Sequence, residues 1–178
     1  MSKHELSIRE YGRRPVRAAI TTTLFAVLGG FALAAAAEGG SFDALSSSVN
    51  LLHTIDRSEG RTVIGGYSSG TLTITRSDGA VFEDGASLLA ECIPLIMKGP
   101  SSLDLQSHCT FALNATDKLF GLFRRQSGDI AAGTGGKGRL ELVGGTGRYA
   151  GVSASCPYTT SYLPENHVVT NLHCQWRR

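Results

Sequence analysis

The sequence predicts an all-β fold: a single antiparallel β-barrel of about eight strands over residues 38–178, preceded by a signal peptide over residues 1–37. Three observations carry that expectation. Apolar and polar residues alternate with period two along much of the chain after Ala37. Turn-forming clusters separate the alternating segments at short intervals. Four cysteines stand at positions that mirror one another about two of those turns. Composition agrees, since 178 residues is one domain's length and 42% apolar content is enough for a core and too much for disorder.

The first 37 residues read as an export signal. Arg9, Arg13, Arg14 and Arg17 make a positive n-region, residues 24–36 an uncharged apolar core, and Ala34 to Ala37 the small residues of a cleavage site. The uncharged stretch 18–37 is barely long enough to span a bilayer. Gly29-Gly30, the threonines at 21–23 and the alanine-rich end favour removal over retention as an anchor. Arg13-Arg14 resembles a twin-arginine signal, but Pro15 and Arg17 stand where apolar residues belong, so the export route is left open. Export implies an oxidising compartment, periplasmic or extracellular. Five of the 17 Lys+Arg fall in this leader. The remaining 141 residues carry 12 Lys+Arg against 13 Asp+Glu, net −1, and this balance does not suggest a nucleic-acid partner.

After the leader the chain reads as short strands. In 105–113, Leu105, Cys109, Phe111 and Leu113 share one face. In 152–162, Val152, Ala154, Cys156, Tyr158 and Tyr162 oppose Ser153, Ser155, Thr159 and Ser161. In 168–177, Val168, Leu172, Cys174 and Trp176 oppose Asn171, His173, Gln175 and Arg177. Segments 49–55, 61–66, 71–76, 87–96, 118–125 and 138–143 fit strands with less clean faces. Turns are expected at Ser77-Asp78-Gly79, Gly99-Pro100-Ser101, Asn114 to Asp117 and Pro164-Glu165-Asn166. The glycine-rich stretch 128–138 reads as a loop. No segment has the 3.6-residue period of a helix longer than about two turns.

The cysteines sharpen this. Four cysteines allow three pairings. Cys156 and Cys174 lie nine residues either side of Glu165, and Cys92 and Cys109 lie symmetrically about the Gly99-Pro100-Ser101 turn. Residues equidistant from a hairpin turn face each other within disulfide range. Hence Cys92–Cys109 and Cys156–Cys174 are the expected bridges, each worth about 3 kcal/mol by loop entropy. A zinc site using His108-Cys109 and His173-Cys174 is disfavoured because adjacent strand residues point to opposite faces; no metal and no cofactor is expected.

Several catalytic patterns match without their context. Gly66-Tyr67-Ser68-Ser69-Gly70 fits the nucleophile elbow, which needs a helix after it; the β-branched run 71–75 follows instead, so a glycine-containing hairpin turn is expected. Gly133 to Gly138 and Gly145 to Ala150 fit the dinucleotide fingerprint, yet the second is followed by a strand-like run ending at Pro157, where the motif requires a helix. Asn114-Ala115-Thr116 is a glycosylation sequon that reads as a surface turn.

The run 142–151, Leu-Val-Gly-Gly-Thr-Gly-Arg-Tyr-Ala-Gly, preceded by Gly135-Gly136-Lys137-Gly138-Arg139-Leu140, resembles a signature of small secreted β-barrels of the allene oxide cyclase/dirigent-like superfamily. Gly70 to Thr75 and Asp117 to Phe120 also look like strands of that group. The likeness spans roughly 50–178. It implies the barrel fold and, with two paired cysteines, an exported bacterial branch. It leaves function open, since the group includes an isomerising cyclase, proteins that guide radical coupling and members of unknown role. No catalytic residues carry over from the plant cyclase.

An eight-stranded barrel is filled by side chains or holds one small ligand. With the cysteine-bearing faces inward, Phe111, Tyr158, Tyr162 and Trp176 would line a site for a small hydrophobic molecule, or simply fill a core. His53 shares a face with Val49, Leu51 and Ile55 and is the one candidate for an inward acid–base group. His108 and His173 fall on polar faces. Glu91 is expected outward, and with it Leu89, Ile93 and Leu95, an exposed apolar stripe suited to a homo-oligomer interface. Three readings follow: an exported barrel that binds a small hydrophobic molecule or an envelope partner; a cofactor-independent isomerase, cyclase or lyase; or a purely structural envelope protein.

Overall fold

The structure, a computed structural model, describes residues 38–125, 130–131 and 135–178; the expected signal peptide lies outside these. The described chain forms strands β1 (Gly39–Arg57), β2 (Arg61–Ser77), β3 (Ser87–Lys98), β4 (Leu103–Ala112), β5 (Lys118–Arg125), β6 (Ile130–Ala131), β7 (Gly135–Thr146), β8 (Ser153–Tyr162) and β9 (His167–Arg177). Each main strand is hydrogen-bonded to the one before it in sequence, β5 pairs with β7, and β9 returns to β1. All pairings are antiparallel. The result is a closed eight-strand barrel, with the two-residue β6 as a side pairing on β7. An even number of strands is required here, because only then does the closing pair of an up-and-down meander come out antiparallel. The only helical pieces among the described residues are two three-residue 3-10 turns.

The two expected bridges are present. Cys92–Cys109 joins β3 to β4 and Cys156–Cys174 joins β8 to β9, each with Cα atoms 4.1 Å apart. The register explains them: Cys92 lies directly opposite Cys109. On the other hairpin, Ser155 faces Gln175 and Tyr158 faces Leu172, which brackets Cys156 opposite Cys174. That ladder skips Cys156 and Pro157, and proline has no N–H to give it. The disulfide therefore ties β8 to β9 where their hydrogen bonding is interrupted. All four sulfurs sit on the inner face.

One half of the interior is dry core. Phe42 and Ala44 of β1, Leu72 and Ile74 of β2, Leu88 of β3, Phe111 of β4, Leu119 of β5, Leu140 and Leu142 of β7 and Leu172 of β9 are all buried there. The segment between β2 and β3 folds back across this end and inserts Phe82. The Phe82 ring stacks on Phe42 at 4.1 Å and contacts Tyr149 at 5.5 Å and Trp176 at 5.7 Å. Three aspartates tie this end together from outside. Asp78 accepts the backbone N–H and hydroxyl of Ser41. Asp117 accepts the N–H of Arg148, which also meets Glu83 at 2.7 Å. Asp43 sits 2.8 Å from both His173 and Arg76.

Several details differ from the sequence expectation. Segments 61–66 and 71–76 are one continuous strand, β2, so Gly66 to Gly70 is not a hairpin turn. The turn lies at 58–60, where Glu59 and Gly60 adopt positive φ. Gly66 and Gly70 are instead places where β2 presses on β1: a Cβ on either would collide with the carbonyl oxygen of Leu51 or Ser47. β1 begins at Gly39, ten residues before the expected strand. Gly135 to Gly138, expected in a loop, open β7. The segment from Gly145 to Ala150 ends β7 and enters a 3-10 turn, not a helix.

Peptide mapping without reduction is expected to recover Cys92–Cys109 and Cys156–Cys174; free thiols or crosswise pairs would overturn the register. Removing Cys156–Cys174 by a double alanine substitution is expected to cost about 3 kcal/mol in chemical denaturation. Hydrogen bonds hold three carboxyl groups below their ordinary 3.8: Asp43 through His173, Asp78 through the Ser41 N–H and Asp117 through the Arg148 N–H. A depressed folded pKa contributes stability above the ordinary value, which is lost as pH falls through the folded one. Thermal stability is therefore expected to hold from neutrality to about pH 5 and drop below about pH 4, and Asp117→Asn to flatten part of that drop.

Candidate functional site

The other half of the barrel is hollow. Continuing each inner face away from the core, β1 contributes Ser46, Ser48, Asn50 and Leu52, β2 Ser68, and β3 Cys92, Pro94 and Ile96. Then come Leu105 and Ser107 of β4, Phe123 of β5, Tyr158, Thr160 and Tyr162 of β8, and Val168 and Thr170 of β9. They enclose a cavity of about 120 Å³ that opens at the end opposite the Phe82 plug. An apolar cavity of about 150 Å³ holds benzene, so this space fits one ring or a short branched chain, with room to extend through the mouth.

The lining is divided by strand. β8, β9, β1 and β2 present most of the polar groups, Thr160, Thr170, Ser46, Ser48, Asn50 and Ser68, with Leu52, Val168 and the rings of Tyr158 and Tyr162 among them. The facing strands β3, β4 and β5 present mainly Ala90, Pro94, Ile96, Leu105 and Phe123. Thr160 and Thr170 share a hydrogen bond of 2.7 Å, and Thr160 also donates to the carbonyl of Val169. The side chains of Ser46, Ser48, Ser68 and Asn50 have no hydrogen-bond partner among the described residues. Ser46, Ser68, Ser107, Thr160 and Thr170 are nevertheless buried as residues. Buried hydroxyls facing open space bind water or a ligand, because leaving them unsatisfied is costly.

Among the described residues, no Asp, Glu, His, Lys or Arg lines this cavity. One charge stands just behind it. Arg125 is buried, continuing the inner face of Leu119, Gly121 and Phe123. Its guanidinium donates to the Gly135 carbonyl at 2.7 Å and to the Tyr162 hydroxyl at 3.2 Å. A Cβ on Gly136 would collide with that guanidinium, and one on Gly138 with the Tyr158 ring. The glycines that mimic a phosphate loop are thus clearances for two large inward side chains.

The residues singled out from sequence do not all converge. Tyr158 and Tyr162 line the cavity, Tyr158 buried and Tyr162 partly exposed at the mouth. Phe111 and Trp176 are buried in the core and do not line it, although Phe111 contacts the cavity residue Phe123 edge-on. His53 is not inward: with Leu51 and Ile55 it lies on the exposed outer side of β1, while the polar Ser46, Ser48 and Asn50 point in. His108 and His173 are exposed. The serine and threonine wall and Arg125 were missed. Alternation from Leu119 through Phe123 marks Arg125 as inward, and alternation from Tyr158 and Leu172 marks Thr160 and Thr170.

No protein-family model matches this chain, and no curated protein matches it. The class of protein is set by the fold and cavity alone: a small closed antiparallel barrel with two internal disulfides and a half-open interior.

Gly138→Ala is expected to push Tyr158 off the barrel wall and cost about 1–3 kcal/mol of stability, the range for overpacking a filled interior. The same change at Gly144, where a Cβ meets nothing within 4 Å but φ is +148°, tests backbone strain alone. Equilibrium denaturation of both variants separates the two effects.

Proposed function

We propose that this chain is an exported carrier or receptor for a small uncharged molecule held in the open half of the barrel. The observation that carries this reading is the split lining. A ligand with one apolar side and one edge of hydroxyl or carbonyl groups satisfies the serines, threonines and Asn50 while resting on Phe123, Leu105 and Ile96. Such a pocket, mostly apolar with a few placed polar groups, is how proteins orient small molecules. A charged ligand finds no counter-charge among the lining residues.

Binding is favoured over isomerase, cyclase or lyase chemistry because the titratable groups in the lining are the phenols of Tyr158 and Tyr162, and His53 stands outside. Export is supported by the leader sequence and by two disulfides, which persist in oxidising compartments. Kinship with the allene oxide cyclase/dirigent-like barrels is supported by the closed eight-strand meander and by the glycine-rich run that forms β7 and its turn.

The test is native mass spectrometry of protein purified from its own host, followed by denaturation. The expected result is a neutral small molecule released on unfolding. Ser68→Leu, which fills the cavity, should abolish its retention. If nothing is retained, and neutral cyclic alcohols and ketones perturb no NMR signal of the lining residues, the reading is wrong.

A further inference from the structure

The outer wall of the barrel is polar along β8, β9 and the start of β7, with Phe120 of β5 and Val143 at the end of β7 as further exposed apolar residues. Exposed Lys137 and Arg139 of β7, and Asn171, His173 and Gln175 of β9, alternate outward there, which is incompatible with the continuous apolar belt of a lipid-facing barrel. One side is different. On β1, β2 and β3 the outward residues Leu51, Ile55, Tyr67, Ile93, Leu95 and Met97 are all exposed, Ile55 and Ile93 at 67%.

Register joins them into one surface. Leu51 faces Tyr67, Ile55 faces Val63, Val63 faces Met97, and Gly65, which has no side chain, faces Leu95. Six large side chains about half exposed present on the order of 600 Å² of apolar surface, the size at which a patch marks an interaction site. It is most of the roughly 800 Å² that each partner of a standard interface buries.

The same side carries an open strand edge. β1 pairs with β9 as far as Val49, opposite His167, adds one bond from the Asn50 N–H to the Asn166 carbonyl, and among the described residues runs on to Arg57 paired with β2 alone. A strand edge of this length, carrying Leu51, Leu52 and Ile55, is a site of chain-to-chain association unless covered.

We propose that a second copy of this chain covers the β1–β3 face. An apolar patch is complementary to itself, which is the requirement for a two-fold contact using the same surface on both subunits. Its margin carries both signs, Asp56, Glu59 and Glu91 against Arg57 and Arg61, so a copy related by rotation can meet opposite charge at the rim. The Tyr67 hydroxyl donates to Glu91 at 2.8 Å and closes one border, while Gln106 and His108 of β4, opposite Leu95 and Ile93, close another.

Sedimentation velocity of the purified disulfide-bonded protein at micromolar concentrations is the test. The protein is expected to sediment as more than one copy. Ile93→Asp is expected to weaken association at least about tenfold, as loss of a central apolar anchor does, with far-UV circular dichroism and both disulfides unchanged. Ile55→Ser, on a different strand of the same face, should act in the same direction and keeps the test valid if the first variant misfolds. Thr159→Asp, on the polar wall, should leave association intact. A protein that is monomeric throughout, association untouched by either face variant, or equal loss in Thr159→Asp overturns the proposal.

Discussion

Closure of the barrel is the constraint from which everything else follows. Once eight antiparallel strands meet edge to edge, alternate side chains are committed to the axis or to the outside, and no strand can slip by one residue without exchanging its two faces. The two disulfides reinforce this from within. Each joins directly facing residues of one hairpin, so each is compatible with a single register. Cys156–Cys174 also stands in for backbone hydrogen bonds that Pro157 removes from the β8–β9 ladder.

Within that frame the two halves of the barrel are built differently. The plugged half follows the usual rule, with Phe42, Phe82, Tyr149 and Trp176 packed inside. In the open half the rule is reversed on β1. Ser46, Ser48 and Asn50 turn inward while Leu51 and Ile55 are exposed outside. Inward polarity makes a chamber for something that hydrogen-bonds, and outward apolarity makes a wall that needs covering. One reversal of alternation thus underlies both the cavity and the exposed apolar face of β1.

This reversal also explains what was legible in the sequence. Strand positions on β3, β4, β5, β8 and β9 could be read closely, and facing cysteines oriented β3, β4, β8 and β9 correctly, including the outward stripe of Leu89, Ile93 and Leu95. β1 and β2 have no cysteine to orient them. There the hydropathy rule put His53 on the inside with its apolar neighbours, and the structure puts all of them outside. The plug was equally hidden, because Val81-Phe82 sits in a turn segment whose burial depends on contacts from Phe42, Tyr149 and Trp176, distant in the chain. Glycines at 66, 70, 136 and 138 imitated catalytic motifs because close backbone approach and side-chain clearance call for the same residue as a phosphate loop does.

The most direct measurement is a crystal structure refined with ordered solvent. Water or ligand density bonded to the hydroxyls of Ser46, Ser68 and Thr170 opposite Phe123 is expected, with Ile93 and Leu95 on the outer surface. A chamber collapsed onto itself, or β3 shifted by one residue so that Ile93 and Leu95 point to the axis, would contradict it.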